Sequence, residues 1–109
     1  TVVSTPTPEL AVIDGGSKTF PCDIPIGVEP YYFPGYAIFA DRPELRLARM
    51  NEEHGIVTCV DGPTGLRVGE CLRLTPLHVC TALNLQNEVY LLEGGRVRKE
   101  RVAARGMLV

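Results

Sequence analysis

Short runs of β-branched and aliphatic residues, separated by glycine and proline, recur along most of the chain. The runs have the length and residue types of strands, and glycine- or proline-rich turns lie between them. About seven short strands joined in this way predict an all-β fold, a small β-barrel or sandwich. The predicted strands cover residues 1–4, 10–13, 45–50, 56–60, 66–74, 88–92 and 96–102, the last two pairing as a hairpin.

The stretch from residue 17 to residue 40 breaks this pattern. Four prolines, Pro21, Pro25, Pro30 and Pro34, interrupt it, and aromatic residues lie among them. Prolines at this spacing exclude a helix. We predict a long surface loop with aromatic anchors, and loops of this length are uncommon unless they are functional or line an interface.

The stretch 74–81 contains the first candidate chemistry, His78 and Cys80. If it is extended, both side chains point the same way, and an imidazole beside a thiolate suits zinc. A closed structural zinc site takes four ligands, so two would leave positions open for water, substrate or another segment. On spacing alone, an ordinary core histidine and a buried free cysteine are favoured over a metal site. Residues 81–84 could form a short helical turn.

Glu53 and His54, in the sequence Glu52-Glu53-His54-Gly55, are the second candidate site. Carboxylates beside an imidazole could perform acid–base chemistry. The alternative is a solvated acidic strand end before a glycine turn, and spacing alone favours this alternative.

Composition restricts the class of protein. A chain of 109 residues with a net charge of −2 fits one soluble domain. The one basic run, 96–101, is interleaved with valine and is interpreted as the solvent-exposed face of a strand, so no nucleic-acid partner is predicted.

No apolar stretch is long enough to span a bilayer, and we expect no signal peptide and no membrane partner. The four cysteines form no C-x-x-C pair, which argues against a structural four-ligand zinc site. A disulfide framework is usually denser in a secreted domain of this size, so free thiols in a reducing cytoplasm are favoured.

Six motifs occur in one order along the chain. Taken together, they resemble the C-terminal β-domain of the D-serine dehydratase and D-threonine aldolase family, fold-type III pyridoxal-phosphate enzymes related to alanine racemase. The resemblance extends to Gly106 and predicts a single domain over residues 1–109. The motifs are Val12-Ile13-Asp14-Gly15-Gly16-Ser17-Lys18, Glu52-Glu53-His54-Gly55, Val68-Gly69-Glu70, Pro76-Leu77-His78-Val79-Cys80, Val89-Tyr90 and Ala104-Arg105-Gly106.

The resemblance implies partners for the domain. Members of the family carry an N-terminal α/β barrel that binds the cofactor through a lysine. Lys18 and Lys99 are the only lysines here, and neither has a barrel-strand context. We therefore expect the cofactor domain to be absent from this chain, which begins at Thr1 in a β-rich run, and the isolated domain to be inactive. The expected partners are that barrel, a second subunit in a homodimer and a small D-amino acid.

The resemblance also implies a metal site formed by His78 and Cys80. Cysteine at the second position is similar to the zinc-dependent dehydratases, whereas the aldolases more often have aspartate with manganese or magnesium. A soft thiolate agrees with zinc. Leu77 departs from the small polar residue expected before the histidine, and this leaves the particular activity open. Glu53 and His54 are expected near the active-site mouth, with no step assigned.

The implied function is that of a metal-binding domain in a lyase acting on D-3-hydroxy amino acids, with D-serine dehydratase favoured. There the metal would hold the substrate β-hydroxyl. The alternatives are a D-threonine aldolase and a non-catalytic β-domain that serves dimerisation or structural support.

Overall fold

The computed structural model describes residues 1–30 and 32–107, which form eight short strands and one short helix. This confirms the predicted all-β class, and the described strands do not close into a barrel. In chain order the elements are β1 (Val2–Thr7), β2 (Leu10–Ile13), β3 (Ala37–Phe39), β4 (Leu45–Met50), β5 (Gly55–Cys59), β6 (Leu74–Pro76), α1 (Val79–Asn84), β7 (Glu88–Glu93) and β8 (Arg96–Arg101).

An antiparallel sheet with the order β1-β2-β5-β4 forms the body of the domain. Val57 on the central strand β5 lies opposite Ala11 on β2 and Leu47 on β4. Residues opposite each other in an antiparallel pair share a face, so these three side chains form one apolar surface. All three are completely buried. The alternation of buried and less buried residues in β2, β4 and β5 follows from the two-residue period of a strand.

A second, two-stranded sheet packs on this core. Strands β3 and β6 pair antiparallel, and Ala37 and Phe39 of β3 are buried while Ile38 between them is exposed. The amide of Tyr36 donates a hydrogen bond of 3.0 Å to the carbonyl of Leu47, which fixes the start of β3 beside β4. Strand β6 is thereby held against the core, and the chain leaves it at Pro76, directly before the candidate metal ligands.

The β7–β8 hairpin, which the sequence predicts, is confirmed. Glu93 pairs with Arg96, so Gly94 and Gly95 form a two-residue turn. Both glycines have positive φ, 53° and 78°, as a type I′ hairpin turn requires. The hairpin differs from the other sheets in its exposure, because none of its residues is buried.

Three details of the sequence prediction are wrong. Strand β1, predicted over 1–4, continues through Pro6 to Thr7. Pro6 is tolerated because β1 is an edge strand and its pairing with β2 is irregular between Ser4 and Thr7. Residues 37–39, expected within the loop, form β3. Of the strand predicted over 66–74, only its last residue, Leu74, lies in a strand, β6.

Candidate functional site

His78 and Cys80 lie at the junction of strand β6 and helix α1. His78 is the residue that precedes the helix and has extended backbone angles, φ −137° and ψ 123°, whereas Cys80 lies in the first turn of the helix. The expectation that both residues stand on one strand is therefore wrong. Helix α1 begins at Val79, two residues before the predicted helical turn, so strand alternation does not relate the two side chains.

The imidazole of His78 does not cap the helix that it precedes. Residues at this position commonly bond their side chain to a free N–H of the first turn, and His78 makes no such bond. Its ring is directed elsewhere: Nδ1 lies 2.6 Å from Oδ2 of Asp23. Both side chains are partly exposed, His78 at 35% and Asp23 at 46%. The hydrogen bond to His78 lowers the pKa of Asp23 below its usual value.

Sequence reasoning did not identify Asp23. It lies 55 residues from His78, inside the loop that was predicted only as an aromatic-anchored surface segment. The sequence contains one weak signal for it. Asp23 is the first acidic residue of the predicted 17–40 loop, and long loops often contain binding or catalytic residues.

The loop that carries Asp23 is anchored directly before it. Phe20 packs against the hydrophobic core, and Pro21 is buried. The amides of Thr19 and Phe20 donate hydrogen bonds of 2.9 and 2.8 Å to the carbonyl of Gly16. Asp23 therefore extends from a fixed point into solvent, where its carboxylate meets His78.

Glu53 and His54 lie elsewhere, in the exposed turn between β4 and β5. Glu53 accepts a hydrogen bond of 2.5 Å from the ammonium of Lys18, and Glu52 lies 3.7 Å from the same group. Among the described residues, no hydrogen bond or ion pair joins Glu53 or His54 to His78. Their expected place near an active-site mouth stays a prediction.

The donors at the junction fit zinc by type. An imidazole nitrogen and a thiolate are ligands that zinc prefers, and Cys80 is an exposed free thiol. In residues 1–30 and 32–107, no three His, Cys, Asp or Glu side chains are grouped so as to hold a metal. Metal binding by His78 and Cys80 therefore stays a prediction.

Comparison with known proteins identifies the family of this chain. Residues 1–92 match the model of the family described as "Putative serine dehydratase domain". The chain belongs to this family. The match ends inside strand β7, so it includes the candidate site and the whole four-stranded sheet.

Two relatives extend this family likeness over almost the whole chain. A D-threonine aldolase from Arthrobacter sp is 33% identical over an alignment 109 residues long, which covers 97% of this chain and 26% of the relative. The crystal structure of D-threonine aldolase from Filomicrobium marinum superposes with a TM-score of 0.78 at 28% identity, covering 99% of this chain and 27% of the other. The chain thus spans about a quarter of the length of these relatives.

A third relative is much shorter. An uncharacterized protein of Mycobacterium tuberculosis (strain H37Rv) is 32% identical over 96 residues, 87% of this chain and 68% of the relative. Those shares make that relative about 140 residues long (96 divided by 0.68). The family domain therefore occurs both in chains about four times its length and in a chain only slightly longer than itself.

In the part of this chain that the model describes, no helix has the length and apolar character needed to cross a membrane.

Proposed function

We propose that this domain supplies two ligands of a divalent metal site to a pyridoxal-phosphate-dependent lyase that acts on D-3-hydroxy amino acids. The observation that carries the proposal is the strand-to-helix junction, where the His78 ring is held by Asp23 and a free thiol follows two residues later. Two D-threonine aldolases that match the domain over almost its whole length support the same class of reaction.

His78 and Cys80 bind the ion, and zinc is the metal that their donor types favour. Once bound there, a divalent ion supplies Lewis acidity toward the β-hydroxyl of the substrate. Pyridoxal phosphate, which an N-terminal barrel domain would hold, would supply an electron sink for negative charge at the α-carbon. The contribution of this chain is to place an imidazole and a thiolate at the edge of a rigid β-domain, while the exposed side of the site faces that partner domain.

Cys80 favours dehydration over retro-aldol cleavage through the family resemblance, in which cysteine at this position is typical of the zinc-dependent dehydratases. A soft thiolate selects zinc, whereas a carboxylate would select manganese or magnesium. The aldolase names of two relatives favour the other reaction, which uses the same hydroxyl contact. Leu77 is apolar and stands where the family resemblance predicts a small polar residue that could hydrogen-bond near the ion. Residue identity therefore does not distinguish dehydratase from aldolase, and the reaction products must be measured.

The proposed setting is a homodimeric enzyme in a reducing compartment such as the cytoplasm. All four cysteines are free thiols, which is typical of proteins in reducing compartments. Glu53 and His54 are proposed to lie near the entrance to the active site, on the exposed β4–β5 turn.

A non-catalytic role in dimerisation or structural support is the second candidate. The observation that favours it is the mycobacterial relative of about 140 residues, in which about 45 residues lie outside the match. An α/β barrel typically needs about 250 residues, so that relative has no room for one. The family domain can therefore exist in a protein without the cofactor domain.

The decisive experiment measures zinc content and reaction products in the complete protein that carries this domain. We expect about one zinc per domain and turnover of D-3-hydroxy amino acids that a chelator abolishes and zinc restores. Pyruvate and ammonia from D-serine indicate a dehydratase, whereas glycine and an aldehyde from D-threonine indicate an aldolase.

The variants Cys80→Ala and Cys22→Ala form a matched pair, because both replace an exposed free cysteine. We expect Cys80→Ala to lose zinc and activity and Cys22→Ala to keep both. Activity that survives both chelation and Cys80→Ala would refute the metal role, and a complete protein with no lyase activity would favour the structural candidate.

A further inference from the structure

The contact between Asp23 and His78 is a specific arrangement of two side chains that are distant in the sequence. The carboxylate reaches the ring from the connection between β2 and β3, and the histidine lies at the strand-to-helix junction. The Nδ1 to Oδ2 distance of 2.6 Å is in the range of charge-assisted hydrogen bonds. A contact this short, made at the Nδ1 atom, occupies one of the two ring nitrogens.

The chemistry of the imidazole gives this contact a consequence. A neutral ring carries a proton on one nitrogen and a lone pair on the other. A carboxylate at Nδ1 accepts a hydrogen bond, so it holds the proton at Nδ1 and leaves the lone pair on Nε2. A metal ion binds a lone pair, and the ring can therefore offer only Nε2.

Resting on the function proposed above, we infer that Asp23 is a positioning residue: its carboxylate fixes the tautomer and orientation of His78 and leaves Nε2 as the metal-binding atom. Carboxylates that accept a hydrogen bond from a metal-bound histidine do this in many metal sites, and their loss typically weakens metal binding about ten- to hundredfold. Phe20, which packs against the core, and the buried Pro21 hold the loop directly before Asp23.

The competing explanation is a plain surface ion pair. Both side chains are partly exposed, and exposed pairs of this kind contribute little to stability. The two explanations differ in measurable quantities, because a surface ion pair predicts no effect of Asp23 on zinc affinity or on the tautomer of a neutral His78.

The test uses the complete protein in the variants Asp23→Ala, Asp23→Asn, Asp41→Ala and His78→Ala. Asp41 is the matched control: it is also an exposed aspartate in an ion pair, 2.6 Å from Arg73, and makes no described contact with His78. Zinc affinity is measured by competition with a chromophoric chelator. The tautomer of His78 is measured in the metal-free protein by ¹⁵N NMR, with the signal assigned by its loss in His78→Ala.

We expect Asp23→Ala to weaken zinc binding about ten- to hundredfold and to move His78 toward the Nε2–H tautomer that free histidine favours. Asp23→Asn, whose amide oxygen can still accept from Nδ1–H, should restore part of the affinity. Asp41→Ala should bind zinc as the wild type does.

The outcomes separate the two proposals. If Asp23→Ala binds zinc like the wild type while His78→Ala does not, the positioning role is wrong and the metal site stands. If His78→Ala binds zinc like the wild type, or the wild type binds none, the proposed function is wrong. A wild-type His78 found in the Nε2–H tautomer overturns the positioning role without any variant, so the inference does not depend on how Asp23→Ala folds.

Discussion

Arg42 joins three parts of the chain through a single guanidinium group. Its Nε donates a hydrogen bond of 2.5 Å to Glu44, and its Nη2 donates one of 2.8 Å to the carbonyl of Thr64. Glu70 lies 3.8 Å from Nη1. This side chain thus ties the entry of β4 to the irregular 60–73 segment, where few strand hydrogen bonds are available.

Replacing Glu44 by glutamine should remove a pH-dependent part of the stability. The hydrogen bond from Arg42 lowers the pKa of Glu44 below its ordinary value of 4.5. A carboxyl whose pKa is lower in the folded state stabilises the fold above its unfolded pKa, and loses this contribution as the pH falls through its folded pKa. Urea midpoints should therefore favour the wild type over Glu44→Gln at pH 7, with the difference shrinking as the pH falls below about 4.5.

Glu9→Gln is the control for this prediction, because Glu9 is exposed in the β1–β2 turn and makes no described ion pair. Its midpoint should follow the wild type across the same range. A difference between wild type and Glu44→Gln that stays constant down to pH 3 would contradict the assignment.

At the scale of elements, two sequence motifs of the family form one packed unit. Residues 14–18 lie on the turn between β4 and β5, and the amides of Ser17 and Lys18 donate hydrogen bonds of 2.8 and 3.1 Å to the carbonyls of Asn51 and Glu52. A side chain on Gly16 would have its Cβ 2.6 Å from the carbonyl oxygen of Glu52, so no residue other than glycine fits there without movement. The motifs around Gly16 and Glu52 are thus explained by close packing of backbone.

Gly16→Ala should destabilise the protein by about 1–3 kcal/mol, because the added methyl group must displace backbone and not a flexible side chain. Ser17→Ala, at the next position, keeps the backbone bond to Asn51 and should change stability by less than about 0.5 kcal/mol. Chemical denaturation of both variants measures the difference. Equal stabilities of Gly16→Ala and wild type would contradict the prediction, because the turn would then accommodate the added methyl group without a loss of stability.

Local pattern predicted some elements well and others poorly. Residue type identified β2 and β5, which are short runs of aliphatic and β-branched residues, and an imperfect apolar–polar alternation identified β4. Strand β6 was predicted only at its first residue, Leu74, and helix α1 only over its last four residues, 81–84, because elements of three and six residues are too short for either period to be recognised. The helix also lacks a capping side chain and an acidic first turn, the usual signals of a helix start.

At the scale of the whole molecule, the β7–β8 hairpin stands apart from the core. Tyr90, Leu92 and Val97 share one face of the hairpin and are 70%, 74% and 68% exposed, whereas Phe39 of the β3–β6 pair is buried. An isolated two-stranded hairpin is marginally stable in water, and packing against a core is what usually stabilises one. The hairpin should therefore open more easily than the rest of the sheet structure.

Hydrogen exchange should reveal this difference. We expect hairpin amides to exchange about tenfold faster or more than amides of β2 and β5, because local opening exposes little additional apolar surface. The β3–β6 pair is the control, since it also has two strands but buries Ala37 and Phe39. It should exchange more slowly than the hairpin, and equal protection of the hairpin and β5 would contradict the prediction.

The sequence by itself determined what depends on neighbours along the chain. Residue types along the chain identified β2, β4 and β5 as strands, and Gly94-Gly95 identified the hairpin turn because both positions need positive φ. Local reasoning identified His78 and Cys80 only as candidate ligands by donor type, and the resemblance to the family, not their spacing, favours a metal site there.

Tertiary structure alone decided how the site is assembled. His78 lies at a strand-to-helix junction, and Cys80 lies in a helix where the sequence suggested a strand. Asp23, 55 residues away in the sequence, contacts the His78 ring. No local pattern encodes that contact, because it depends on how Phe20 and Pro21 anchor a loop on the core and how β6 is held beside it.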